Sequence, residues 1–239
     1  MKPLAASLAL TLAAVLAPPA QADTTTIYAT QSGFPAYDRD PFGGNPFASA
    51  VIAALADPDA DPADTLIEQT VANSGGQQFP VIDELAPGTR LAPRDGEVAR
   101  ALVVVFADYG DDAILPSLPG ATFDAHRVAE ALAEAGYEVE VTVAHDAAGY
   151  LGALDAFAHA ADEADRALVY TTGHGVEIDG TIYLIPPEAE RASDILAATL
   201  TLPDIRARLD GPGERLLLYA GCRDNPLELT PPAAPSRGS

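Results

Sequence analysis

Residues 100–143 read RALVVVFADYGDDAILPSLPGATFDAHRVAEALAEAGYEVEVTV, and the fold class turns on them. Residues 101–106 are an unbroken apolar run, which suits a strand buried on both faces. The segment 123–135 then carries Val128, Leu132 and Ala135 on one helical stripe and stops at Gly136. Residues 137–143 alternate apolar and acidic side chains, the pattern of a strand with one face less buried, nearer a sheet edge. Strand, helix and strand in succession form the unit of an open, mostly parallel sheet covered by helices.

The same alternation continues to the right. Asp146 stands where a helix cap belongs, with Leu151, Leu154, Phe157 and Ala158 at helical spacing after it. Residues 167–171 form a third strand. A hairpin over 176–185 turns at Asp179-Gly180, a short helix covers 203–209, and 216–220 form a further strand. To the left the text is different: a strand at 26–30, a Gly/Pro/Asp-rich loop to Pro46, then helices at 47–55 and 63–72. That region is too small to stand as an independent domain. Acids separated by prolines at 57–62 read as a solvated turn rather than a cation site. Residues 87–99 read as a linker, and the Pro/Ala/Ser-rich stretch 227–239 as a disordered tail.

In a chain of 239 residues, 48% hydrophobic content is ample for a packed core. Lys2, an apolar run over 4–16 and Ala20-Gln21-Ala22 read as a secretory signal over 1–22, cleaved before Asp23. The apolar run is shorter than the roughly 20 residues that cross a bilayer, so the expectation is a periplasmic or secreted protein with no stable membrane insertion after cleavage. A formal net charge of −22 argues against nucleic acid as a partner. Cys222 is the single cysteine, so it cannot form an intramolecular disulfide. It admits three roles: an inert core side chain, half of an intermolecular bridge, or a nucleophile.

Its neighbours bear on that choice. The third strand runs into Thr172-Gly173-His174-Gly175 and the last into Gly221-Cys222-Arg223-Asp224, both at the carboxyl ends where open parallel sheets bind ligands. Adjacent strands would bring His174 and Cys222 together from 48 positions apart. A thiol is a weak nucleophile until it loses its proton, and a nearby imidazole can take that proton and return it to a leaving amine. The glycines around His174 let the Gly175 amide, with that of Cys222, face the oxyanion of a tetrahedral intermediate. A histidine that merely occupies a tight turn is the plainer alternative. His126, His145 and His159 fall on helix or strand-end positions with solvated or core roles, and no metal-ligand spacing is present.

The text ALVVVFADY, LPGATFDAHRVAEALAEAGYEVEV, ALVYTTGHGVEIDGTIYLIPPEA and LLLYAGCRDNP, in that order, resembles the caspase and metacaspase clan, and within it the bacterial caspase-like proteins. A histidine about 50 residues before the cysteine is itself a stated caspase signature. The resemblance implies an α/β, caspase–hemoglobinase fold and a cysteine endopeptidase with protein or peptide substrates. It implies His174 and Cys222 as catalytic dyad, Gly175 and Cys222 as oxyanion hole, and Asp124, Asp38 and Thr172 as substrate-binding residues. In usual relatives a smaller region follows the cysteine. Here the matching text lies at 23–86, ahead of the large region at 100–226, so the resemblance implies a circular permutation similar to type III metacaspases.

Two departures bear on specificity. Relatives select arginine or lysine with two acids, and Asp124 matches the first, but Ala220 stands where the second would be. Losing one carboxylate should weaken selection of a guanidinium; Asp38 is a candidate substitute. The acidic run that binds calcium in many metacaspases is not recognisable, so no cofactor or calcium dependence is expected. The runner-up reading is a protease-derived binding or scaffold module with a decayed pocket. A redox protein would need a second cysteine.

Overall fold

A computed structural model describes residues 24–82, 85, 86, 88–110, 115–189, 191–197 and 200–230; the expected secretory signal over 1–22 and the segment 231–239 lie outside them. Strand β1 (Thr25–Tyr28) leads through a loop to helix α1 (Pro46–Ala56) and helix α2 (Pro62–Asn73). Both helices start with proline in the first turn, where a missing N–H costs nothing. Asn45 and Asp61 cap them by accepting backbone N–H groups, so the last acid of the 57–61 run is a helix cap. The two-residue strand β2 (Val81–Ile82) follows, and it is absent from the sequence expectation because two residues carry no readable period.

Strand β3 (Ala99–Phe106) is the predicted buried strand, and helix α3 (Pro119–Glu134) comes after it. The helix begins four residues before the expected start at 123, because Pro119 is compatible with a first turn and Asp38, far away in sequence, accepts the Gly120 N–H. Strand β4 (Glu138–Ala144) lies at the sheet edge, as its alternation predicts. In helix α4 (Ala147–Ala160), capped by Asp146, the fully buried stripe is Tyr150, Leu154 and Phe157; Leu151, expected there, is only partly buried. Strand β5 (Arg166–Thr172), the hairpin β6 (Gly175–Ile178) and β7 (Thr181–Leu184), helix α5 (Ala192–Ala197), helix α6 (Leu202–Leu209) and strand β8 (Glu214–Tyr219) complete the order.

The main sheet runs β2-β1-β8-β5-β3-β4, parallel throughout except for β2. This is the mostly parallel α/β sheet flanked by helices that the sequence predicts. Alternation along β3 splits the core in two. Ala101, Val103 and Val105 pack with Ile27, Phe47, Val51, Leu66, Val128 and Leu132. Leu102, Val104 and Phe106 face Tyr150, Leu154, Phe157 and Ile205 on the other side. Residues before 83 therefore share one core and one sheet with those after 98. The connection between them crosses four strand spacings, about 19 Å at the usual spacing. It is held down on the way, since Leu91 and Ala92 are buried. Among the described residues no helix is long and apolar enough to cross a membrane.

Candidate active site

His174 follows β5 by two residues and Cys222 follows β8 by three, and those strands are hydrogen-bonded neighbours in register from Arg166↔Glu214 to Thr171↔Tyr219. The two side chains thus stand at the carboxyl end of the same pair of strands. His174 is well specified. Its Nε2 lies 2.8 Å from the carbonyl of Pro116; a carbonyl only accepts, so the proton belongs on Nε2 and Nδ1 is left as a base. Its backbone N–H donates to the hydroxyl of Tyr109 at 2.9 Å, and that hydroxyl donates to Ile185 O. The Tyr109 ring meets the imidazole edge-on at 4.7 Å. Burial pushes the imidazole pKa down, opposed by the Pro116 carbonyl and the charge of Asp38.

The Cys222 sulfur is turned to the amino-terminal loop. It accepts the N–H of Ala36 at 3.3 Å and lies 3.5 Å from the Ala36 carbonyl. Burial raises its pKa to about 11. The turn that carries it is fastened on both sides: Gly33 N–H donates to Arg223 O and Arg223 N–H to Phe34 O, each at 3.0 Å. The Arg223 guanidinium pairs with Glu177 of β6 at 2.7 Å, stacks on the Tyr28 ring, and donates to Thr30 O. Tyr37 N–H, one residue past Ala36, is held by the fully buried Gln78, which also donates to Ala29 O.

Gly175 is buried beside this turn. The bond from Ile185 N–H to His174 O makes those two residues a bonded pair of the hairpin. Bonded and non-bonded pairs alternate along an antiparallel ladder, so the Gly175 N–H points away from β7. A Cβ on Gly175 would overlap the Tyr219 hydroxyl and stand 3.1 Å from the Cys222 carbonyl, so the residue packs directly on the Cys222 turn. Thr172, expected to bind substrate, is buried and donates to Ala220 O at 3.4 Å. The same carbonyl receives the side-chain N–H of Asn45 at 3.3 Å.

The two acids differ. Asp124 is fully buried; one oxygen takes the Asn45 N–H at 2.7 Å and the other the guanidinium of Arg127 at 3.2 Å. Arg127 also reaches Ser49, which donates to Asp40. Asp38 is half-buried, caps α3 through Gly120, and lies within electrostatic reach of both His174 and Cys222. Of the sequence-derived set, His174, Cys222, Gly175 and Asp38 gather at one strand end, while Asp124 and Thr172 are spent on internal bonds. Asn45, Gln78, Tyr109 and Tyr219 were not singled out from sequence. The Asn-Pro-Phe start of α1 signals the cap that Asn45 makes, but not its reach to Ala220. His126, His145 and His159 are exposed, and among the described residues no group of three or more His, Cys, Asp or Glu is arranged to hold a metal ion.

Burial pushes the Asp124 carboxyl up to about 7, against the pull of the Asn45 N–H and Arg127. A folded pKa above the unfolded one means that stability is present in full at low pH and is lost as the pH rises through the folded value. The window is 3.8 to about 7. Measured as melting temperature of the native chain minus that of an Asp124→Asn variant, the difference is expected to fall across this window. A flat or rising difference would mean that the carboxyl is ionised throughout.

A family model described as Caspase domain matches residues 98–236, more than half of the chain. No curated protein matches it.

Proposed function

The chain belongs to the caspase-domain family, and from that premise we propose that it is an exported cysteine endopeptidase working through His174 and Cys222. The observation that carries the reading is the placement of the two side chains at the carboxyl ends of neighbouring parallel strands, with Gly175 packed against the Cys222 turn. Nδ1 of His174 takes the thiol proton as sulfur attacks the substrate carbonyl, and the oxyanion accepts from the N–H groups of Cys222 and Gly175. Collapse passes the proton to the leaving amine and leaves a thioester, which water hydrolyses with His174 again as base. A preference for arginine or lysine before the cut bond rests on Asp38, the half-buried acid near the pair; Asp124 lies sealed behind it. The leader read over 1–22 supports a periplasmic or secreted enzyme. A circular permutation, small region first, accounts for β1 and β2 continuing the sheet beyond β8.

Of the three arginines in or beside the predicted linker, Arg100 lies within β3, paired on both sides, where no protease can thread its peptide bond. Arg90 and Arg94 lie outside strands and helices and are the candidates for self-cleavage.

The test is labelling with arginyl, lysyl and aspartyl peptide electrophiles followed by identification of the modified residue. Label on Cys222 is expected from the basic peptides. If a small alkylating agent reaches Cys222 and none of the peptides does, the endopeptidase reading is lost. One observation favours the second reading, a protease-derived binding module: the thiol is held by Ala36 and its pKa is raised, not lowered. The raised thiol pKa and the lowered imidazole pKa make the resting pair neutral at pH 7. Alkylation by iodoacetamide is accordingly expected to be slow at pH 7 and to climb up to about pH 11. A plateau already reached at pH 7 would mean a preformed thiolate–imidazolium pair.

A further inference from the structure

Tyr219, the last residue of β8, is fully buried among Phe106, Tyr150 and Leu217, and its hydroxyl donates to the Cys222 carbonyl at 2.9 Å. The other polar end of that same peptide, the Arg223 N–H, is held by Phe34 O at 3.0 Å. The peptide after the sulfur-bearing residue is thus pinned at both ends, once by the rigid sheet and once by the amino-terminal loop. The hydroxyl fits because two neighbours lack a Cβ. One on Gly221 would stand 2.5 Å from it, and one on Gly175 would overlap it. Tyrosine at 219 and glycine at 175 and 221 therefore form one steric unit, with the hydroxyl wedged between Gly175 and the Cys222 turn.

We infer that Tyr219 is a positioning residue: its hydroxyl fixes the peptide that follows Cys222, and so aligns the Cys222 N–H with the Gly175 N–H on a common oxyanion. This rests on the cysteine-peptidase reading above. Oxyanion donors act only if held where the charge develops, and a misplacement on the order of 1 Å costs about a hundredfold in rate. Freed of the hydroxyl, the Cys222 carbonyl loses its buried donor and the turn relaxes. The nucleophile itself, held through Ala36, keeps its reactivity.

The test is Tyr219→Phe in the full chain, which removes one oxygen and keeps the packed ring. Expected are a fall in kcat of about 10- to 100-fold with KM within about twofold, and iodoacetamide alkylation of Cys222 within about twofold, because alkylation uses no oxyanion site. An unchanged kcat, or a loss confined to KM, overturns the inference. Amide hydrogen exchange supplies a readout that needs no turnover: Cys222 and Arg223 are expected to exchange at least about tenfold faster in the variant, with β5 unchanged. Equal exchange in both proteins, or acceleration through β5 and β8 together, counts against the inference. A native chain that hydrolyses no peptide sinks the peptidase reading alone, and the exchange comparison still decides whether Tyr219 holds the turn.

Discussion

A chain carrying Cys222→Ala is expected to hydrolyse its best peptide substrate at least about 10⁴-fold more slowly than the native chain, with the melting temperature shifted by no more than about 2 °C. The rate loss is large because the covalent route disappears, and what is left is whatever acceleration binding and the amide donors supply. The stability effect is small because Cys222 is only partly buried and its sulfur meets the backbone of Ala36 alone by hydrogen bonding. His174→Ala is expected to cost about as much as Cys222→Ala, and the double variant little more, since the two side chains act in one step. Equal hydrolysis with and without the thiol would end the assignment of Cys222 as nucleophile.

A chain beginning at residue 88 is expected not to fold. Deletion strips β1 from β8 and uncovers part of the face of β3 that carries Ala101, Val103 and Val105. It also removes Ile27, Phe47, Val51 and Leu66, all fully buried. Burial of each such side chain contributes about 1.5–3 kcal/mol, so these four alone amount to roughly 6–12 kcal/mol, the scale of the whole stability of a domain, about 5–15 kcal/mol. The cost is higher still, because the Asn45 bonds to Asp124 and Ala220 go too and leave buried groups without partners. Thermal unfolding followed by circular dichroism should show no cooperative transition. A sharp melt from the shortened chain would mean that the segment after residue 98 is a domain by itself, and that the first region is an appendage.

Much of this architecture was legible because it rests on local periodicity. The unbroken apolar run of β3, the stripe of α3 and the half-exposed alternation of β4 each announce an element and its buried face without reference to anything distant. The cap at Asp146 is local in the same way. The misses share the opposite property. α3 starts early because Asp38, 82 positions before Gly120, accepts its N–H. β2 exists because β1 offers it an edge. Tyr150, not Leu151, fills the stripe of α4, since its hydroxyl finds Thr171 of β5.

The site divides along the same line. Sequence alone determined that a histidine and the only cysteine follow two strands with glycines beside them, because strand ends and glycine turns are written in a few consecutive residues. Tertiary structure decided what those residues face. The sheet register puts His174 and Cys222 on adjacent strands, Pro116 O selects the tautomer of the imidazole, and Ala36 takes the sulfur. Arg127 and Asn45 close over Asp124, leaving Asp38 as an acid within electrostatic reach of both side chains. Each of these depends on packing that joins segments up to 186 residues apart, and no local pattern encodes the distance between two side chains that meet only when the core closes.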